Sequence, residues 1–247
     1  MKHVNNSNNK QLDLILRYIP PIYKINGSRP ELIGSGILVK KNNNCYLVTT
    51  SHIIKEHGEN IYIPTNTEYA PSGIATVIKS PNSVIPGSDV DTIDITAIKL
   101  ENPEPLEQDY TFLSKENIFF HEHSMEDKFM ITGYPYRKGK VKSSEKKAQS
   151  ILLSYLTTPI KFPKDSEKLY FPDVHIPLKI QKRGVNIETK EKILVPEFQG
   201  VSGGGSWLIK MENGNPNYYL SGINIEGNRN KSVIYTVKMS VIYEKLD

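Results

Sequence analysis

The chain has a single cysteine, Cys45, among its 247 residues, so no disulfide can form within it. Cys45 stands at the start of an apolar run, and we expect it to be a small, buried hydrophobic residue. The sequence also lacks any run of about 18 apolar residues, and its residues 1–10 are polar and rich in asparagine. Neither a membrane-spanning helix nor a secretory signal is therefore predicted, and we expect a soluble, cytoplasmic protein with no membrane partner.

An excess of charge of one sign is absent as well. Lys and Arg number 31, and Asp and Glu number 27, which gives a net charge of +4 at pH 7. This balance does not predict a nucleic-acid partner. The sequence contains neither a Walker loop nor a dinucleotide-binding fingerprint. His121 and His123 form an H-x-H pair, but no third or fourth ligand stands at a recognisable spacing, so we expect neither a metal nor a cofactor.

Short β-rich segments make up most of the chain from residue 32 onward. Apolar runs at residues 33–39, 45–50 and 95–100 are separated by turn-forming residues, and repeated strands at such spacing predict a closed barrel or a sandwich. A polar linker at residues 101–107 precedes a second half with the same pattern. Near the N-terminus, apolar residues at helical spacing predict one short helix, namely Leu12, Leu14, Ile15 and Tyr18.

Three residues in different segments have side chains suited to nucleophilic catalysis. Ser202 is flanked by glycines in Gly200–Gly205, which favours a bent backbone that exposes the hydroxyl and nearby N–H groups. His52 follows an apolar run, and Asp94 directly precedes the strand 95–100. A serine hydroxyl becomes a good nucleophile only when a base takes its proton, and a carboxylate orients that base. The order along the chain is His, Asp, Ser.

The segments around these residues resemble the motifs of the trypsin/chymotrypsin-like serine peptidases, in particular of their disulfide-free bacterial branch. The family motifs T-A-A-H, D-I-A-L-[LI]-K-L and G-[DN]-S-G-G are similar to Thr49–His52, Asp94–Leu100 and Gly200–Gly204. Two further family-like pieces occur in the expected order, Gly34–Val39 and Ile131–Pro135. Each motif alone is weak, but the five together extend the resemblance over residues 32–240.

The resemblance implies an all-β fold of two packed six-stranded antiparallel barrels, with short helices at the ends of the chain. On this basis residues 1–31 are predicted to be an N-terminal extension. Residues 32–112 are predicted to form the first barrel, with the histidine and the acid. Residues 113–247 are predicted to form the second barrel, with the serine and a C-terminal helix.

The same resemblance implies a role for each of the three side chains. Ser202 is the predicted nucleophile, His52 the general base and then the general acid, and Asp94 the residue that orients the imidazole. Asp89 and Asp91 are nearby alternatives for the acid. Only Asp94 directly abuts the strand, as the family pattern requires.

The nucleophile segment also contains the predicted oxyanion hole and one departure from the family. The backbone N–H groups of Gly200 and Ser202 are the predicted donors, because an oxyanion hole needs donors aimed at the developing negative charge. Family members activated from a zymogen carry aspartate just before the nucleophile, where it pairs with a newly cut N-terminus. This chain has Val201 at that position, so we do not expect that activation switch.

The residues that select the substrate are predicted only by analogy with the primary pocket of the family. The resemblance assigns to its walls Pro196, Ile225, Glu226 and Gly227. Pro196 stands where an aspartate would give preference for Arg and Lys. Glu197 or Glu226 could supply a negative charge instead, but we favour exposed glutamates as the interpretation.

Two functions from different classes remain open. The first is a serine endopeptidase that cleaves a protein or peptide substrate through an acyl-enzyme, with one dedicated target protein as the expected partner. The alternative is a catalytically silent trypsin-like module that binds a protein partner. An esterase of the α/β-hydrolase type is disfavoured, because its serine lies in G-x-S-x-G between a strand and a helix and precedes the acid and the histidine.

Overall fold

A computed structural model of the chain describes residues 13–26, 29–65, 69–79, 92–135, 152–166, 169–181, 183–185, 192–194, 200–228 and 232–246. In these segments strands are far more extensive than helices. The strands are rich in Ile, Val, Thr and Tyr, whose side chains pack well on a pleated surface. The β-rich organisation predicted from the sequence is confirmed.

Two antiparallel sheets make up the described part of the first half. One contains β1 (Pro21–Asn26), β2 (Arg29–Ser35) and β5 (Ile61–Tyr62), in the order β2-β1-β5. The other contains β3 (Ile37–Lys41), β4 (Asn44–Thr50), β6 (Gly73–Ile78) and β7 (Ile95–Leu100), in the order β3-β4-β7-β6. Because β1 pairs with both of its neighbours, the segment 1–31, predicted as an extension, contributes a strand to the first half.

The second half is built on one six-stranded antiparallel sheet. Its strands are β8 (Lys128–Gly133), β9 (Leu153–Thr157), β10 (His175–Lys179), β13 (Gly205–Glu212), β14 (Asn215–Asn228) and β15 (Val233–Lys238). They are arranged in the order β10-β15-β14-β13-β8-β9. A separate two-stranded sheet is formed by β11 (Arg183–Val185) and β12 (Lys192–Leu194).

The helices of the described segments are short. Residues 13–18 are helical, and α1 (Ser51–His57) follows β4 without an intervening loop. The others are α2 (Glu104–Glu107) and the C-terminal α3 (Met239–Tyr243). None of the helices in the described segments has the length and apolar character needed to cross a bilayer.

The largest cluster of buried side chains draws on both halves. It includes Val48 from β4 together with Trp207 and Tyr235 from the second half, and the ring of Tyr18 stacks on Trp207 at a centroid distance of 6.2 Å. Burial of apolar surface therefore stabilises the association of the two halves, a role that disulfides can have in other proteins. Cys45 is buried and free, as predicted, and burial raises the pKa of its thiol.

Val201 is enclosed in a smaller cluster that lies within the second half. Its side chain has no exposed surface. Gly133 approaches so closely that a Cβ at that position would lie 2.9 Å from the Cα of Val201. Position 201 is therefore an apolar, tightly packed site.

Val201→Asp should reduce the free energy of unfolding by about 3 kcal/mol or more at neutral pH, because it buries a carboxylate among apolar side chains. Burial raises the pKa of such a carboxyl, so the loss should shrink as the pH falls toward about 4. Urea denaturation at the two pH values measures both effects. Val201→Ala is the control and should show no comparable pH dependence. An equal loss of unfolding free energy in Val201→Asp at both pH values would contradict the view that position 201 is an apolar, buried site.

Candidate active site

The register of β4 and β7 brings the predicted base and acid together. Thr50, the last residue of β4, pairs with Ile95, the first residue of β7. The chain enters α1 directly after Thr50, so His52 lies in its first turn and faces the residue just before β7. That residue is Asp94.

Asp94 holds His52 at two points. Its Oδ2 lies 2.6 Å from His52 Nδ1, and its Oδ1 accepts the backbone N–H of His52 at 2.9 Å. Its carbonyl oxygen also accepts the backbone N–H of Ser51 at 2.9 Å. When the neutral imidazole donates its Nδ1–H to Asp94, Nε2 is left as the acceptor, which is the state that a general base requires.

The backbone at Asp94 is strained. Its φ of 49° lies in the left-handed region, which residues other than glycine seldom adopt. The conformation turns both carboxylate oxygens toward α1. Strain of this kind persists only where surrounding contacts fix the residue, and it concentrates at functional sites.

The contact with Asp94 also changes the acidity of His52. The hydrogen bond to the carboxylate raises the pKa of the imidazole, and partial burial opposes this to a smaller extent. A raised pKa means that His52 becomes protonated, and loses its capacity to act as a base, at a higher pH than an ordinary histidine.

The loop that carries Ser202 has a shape that depends on glycine. Gly200 and Gly203 have φ values of 86° and 82°, both in the left-handed region. A Cβ at Gly203 would lie 2.0 Å from the carbonyl oxygen of Ser35, and one at Gly204 would lie 2.1 Å from that of Thr132. Larger residues at these two positions would push the loop away from the strands beneath it.

Ser35, at the end of β2, fastens this loop to the first half. Its Oγ donates to the Gly200 carbonyl at 2.8 Å, and its backbone N–H donates to the Ser202 carbonyl at 3.1 Å. Ser35 Oγ also accepts the Tyr134 N–H, and its carbonyl accepts Thr49 Oγ1, both at 2.8 Å. Sequence reasoning placed Ser35 in a family-like motif but gave it no role, although a lone hydroxyl between two glycines was a usable signal.

Asn224 supports the same loop from β14 and was also missed. Its carbonyl accepts the Gly203 N–H at 2.8 Å. Its buried side chain donates to the Thr132 and Gly205 carbonyls and accepts the hydroxyls of Ser206 and Thr236. No local pattern in the sequence distinguishes this asparagine, because its partners come from three other strands and from the loop itself.

The predicted oxyanion donors are not engaged in hydrogen bonds within the described residues. The N–H groups of Gly203 and Gly204 donate to Asn224 and Val201, at 2.8 and 2.9 Å. The N–H groups of Gly200 and Ser202, by contrast, donate to no acceptor in the described segments. Two unsatisfied donors on a fixed loop suit an oxygen that develops negative charge.

His52, Gly200 and Ser202 line one cavity of about 370 Å³. Ser202 is only partly buried, and in the segments described here no hydrogen bond joins its hydroxyl to the imidazole. The nearest hydrogen-bonding contact of His52 Nε2 is Thr50 Oγ1, at 3.4 Å. Catalytic hydrogen bonds are often loose before substrate binds and tighten in the complex.

The predicted substrate-pocket residues are described only in part. Ile225 is buried in β14, and the backbones of Glu226 and Gly227 pair with Tyr235 and Ile234 in β15. A register shift between Asn224 and Glu226 marks an irregularity at this point of the strand. The remaining predicted residue and the alternatives lie outside the described residues: Pro196, Glu197, Asp89 and Asp91.

Within the described segments, no three His, Cys, Asp or Glu side chains lie close enough together to hold a metal ion. His121 and His123 instead contact the ring of Phe119, at centroid distances of 5.6 and 6.5 Å.

Comparison with known proteins identifies the fold. No protein-family model and no curated protein matches the sequence. Among solved structures, neuropsin, a serine protease expressed in the limbic system of mouse brain, matches with a TM-score of 0.58 and 16% identity, over 94% of this chain and 95% of its own. The scabies mite inactivated protease paralogue S-I1 matches with a TM-score of 0.58 and 12% identity, over 98% of this chain and 96% of its own.

The fold is chymotrypsin-like. The predicted fold class, two packed antiparallel barrels with short terminal helices, is thereby confirmed. At these identities the similarity extends to the fold alone, and one of the two neighbours is described as inactivated.

Ser35→Ala should slow the phosphonylation of Ser202 by a fluorophosphonate probe by about tenfold or more, because a loop displaced by a fraction of an ångström misaligns the nucleophile and the donors. Ser166→Ala is the matched control. Ser166 is another buried serine, and its Oγ donates at 2.6 Å to the Pro163 carbonyl rather than to a carbonyl of the loop. If the two variants are equally stable and are labelled at equal rates, Ser35 does not position the loop.

Proposed function

We propose that the protein is a cytoplasmic serine endopeptidase that cleaves a protein or peptide substrate, with one dedicated target protein. The observation that carries this proposal is the two-point contact of Asp94 with His52, beside a glycine loop whose Gly200 and Ser202 N–H groups have no acceptor in the described residues. The chymotrypsin-like fold supports it, because the neighbours by fold include a serine protease. The disulfide-free bacterial branch is the subgroup we propose.

In the proposed reaction, Ser202 Oγ attacks the carbonyl carbon of the scissile peptide bond while His52 Nε2 takes its proton. The carbonyl oxygen gains the negative charge and is stabilised by the N–H groups of Gly200 and Ser202. His52 then gives the proton to the leaving amine, and the C–N bond breaks to leave an acyl-enzyme. A water molecule, deprotonated by His52, attacks the ester carbonyl carbon. The bond to Ser202 Oγ then breaks as His52 returns the proton to that oxygen, and the acid product leaves.

The second candidate is a catalytically silent module that binds a protein partner. It is favoured by the lack of a hydrogen bond between Ser202 and His52 in the described structure. A neighbour by fold described as an inactivated protease paralogue also favours it. The complete set of acid, base and nucleophile favours the endopeptidase. Covalent reaction of Ser202 with a fluorophosphonate separates the two functions, because a silent module does not react.

Ser202→Ala should abolish both fluorophosphonate labelling and cleavage of a peptide library, with a loss of about 10⁴-fold or more in kcat. The fold should remain intact, because the half-buried hydroxyl makes no hydrogen bond in the described structure. Circular dichroism and urea denaturation check the fold. Near wild-type turnover in this variant would refute the choice of nucleophile.

Asp94→Asn should lower kcat by several orders of magnitude, about 10⁴-fold, because the amide no longer holds the imidazole in the productive tautomer. Since Asp94 raises the pKa of His52, the acidic limb of the pH–rate profile should also move to lower pH. Stopped assays across a pH series measure both changes. Asp91→Asn is the matched control and should leave the profile unchanged. The reverse pattern would identify Asp91 as the acid.

A further inference from the structure

A histidine of the second half makes a direct hydrogen bond to the segment that carries the candidate acid. His175, in β10, is 2% exposed, and its Nε2 lies 2.8 Å from the carbonyl oxygen of Thr92. Thr92 belongs to the first half and stands two residues before Asp94. The two halves are therefore connected at the acid as well as at the nucleophile loop.

The second ring nitrogen of His175 fixes the direction of this bond. The backbone N–H of Phe171 donates to His175 Nδ1 at 3.0 Å. Nδ1 is therefore the acceptor, so Nε2 carries the proton and donates to the Thr92 carbonyl. Burial lowers the pKa of the His175 imidazole, which agrees with a neutral ring of one tautomer.

Aromatic packing holds the His175 ring in place. Its ring meets the Tyr170 ring edge to face, at a centroid distance of 5.1 Å. Tyr170 in turn stacks on Tyr235 of β15, with centroids 3.6 Å apart and an interplanar angle of 2°. A donor locked in this way is a fixed support for the Thr92 carbonyl.

The segment that His175 supports is the one that carries backbone strain. Thr92 and Ile93 are 3% and 0% exposed, and the next residue, Asp94, has a φ of 49°. A residue in the left-handed region keeps its conformation only when its surroundings determine it. The hydrogen bond from His175 is such a contact, and it reaches the segment from the opposite half.

We propose that His175 is a positioning residue. Through its hydrogen bond to the Thr92 carbonyl, it fixes the segment that presents Asp94 to His52. The orientation of the acid then depends on how the two halves are docked. The kinetic consequence rests on the proposed peptidase function, whereas the consequence for the Asp94–His52 hydrogen bond does not.

The test compares His175→Phe, which keeps a ring but loses the donor, with His175→Gln, which keeps a side-chain N–H donor. His123→Phe is the matched control. His123 is also a histidine of the second half with buried ring nitrogens, and it packs on Phe129 rather than on the acid segment. Each variant is produced as the full chain, and its stability is measured by urea denaturation.

The first readout is the NMR titration of His52, which needs no catalytic activity. His175→Phe should shift the pKa of His52 down toward that of an ordinary histidine, because a displaced Asp94 holds the imidazolium less well. His175→Gln and His123→Phe should titrate like the wild type. An unchanged His52 titration in His175→Phe overturns the proposal, as does an equal shift in His123→Phe at equal loss of stability.

The second readout is the kinetics of peptide cleavage. His175→Phe should lower kcat by about 10- to 100-fold with little change in KM, and His175→Gln should recover most of that loss. If the wild type cleaves nothing, the peptidase function fails while the His52 titration still decides the role of His175. If His175→Phe does not fold, the comparison is repeated with His175→Met and His175→Gln. The two new side chains have similar lengths, but only that of Gln has an N–H donor.

Discussion

Ser35 joins the loop that carries Ser202 to the opposite half of the molecule, and the geometry of the candidate site depends on this junction. Among the described residues outside its own strand pairing, its backbone and side chain take part in four hydrogen bonds, two of them to Gly200 and Ser202. Each such bond contributes only about 1 kcal/mol net, but a buried donor or acceptor left without its partner costs about 1–3 kcal/mol. These bonds hold the loop, with its two left-handed glycines, in one position relative to the first half.

The same reasoning explains why the molecule needs no disulfide at this junction. Apolar burial supplies the main attraction between the halves, through a cluster that contains Val48 and Trp207. That attraction has little directionality and does not fix a loop to within a fraction of an ångström. The buried polar contacts of Ser35 supply the direction between the halves, and those of Asn224 fix the same loop within the second half. Their geometry allows one arrangement and penalises the others.

Much of the fold and of the candidate site could be predicted from the sequence, because those features have local signals. Apolar runs between turn residues predicted the strands, and the position of Asp94 beside its strand distinguished it from the neighbouring acids. The predicted pairing of Asp94 with His52 follows from the β4–β7 register, which begins with Thr50 opposite Ile95. Local patterns were sufficient to predict the position of a residue wherever that position depends on its own strand and turn.

The features that escaped sequence reasoning depend on residues far apart in the chain. β1 lies in the segment that the sequence predicts to be an extension. Its apolar stretch is short and begins at a Pro-Pro pair, so no local pattern marks it as a strand. His175 looks like any histidine in a strand, and only the structure brings it to Thr92, 83 positions away. Asn224 likewise gains its role from partners on other strands.

Packing at Val201 bears on how such a loop can be ordered in a chain without the zymogen aspartate. In place of an ion pair with a new N-terminus, the loop has an apolar residue buried against Gly133 on one side. On the other side, Ser35 holds the Gly200 carbonyl. Both contacts are internal to the folded chain, so we expect the loop to take this conformation without cleavage of the chain. Ser35 and His175 both make hydrogen bonds between the two halves, so a change in how the halves dock would reach the Ser202 loop and the segment before Asp94.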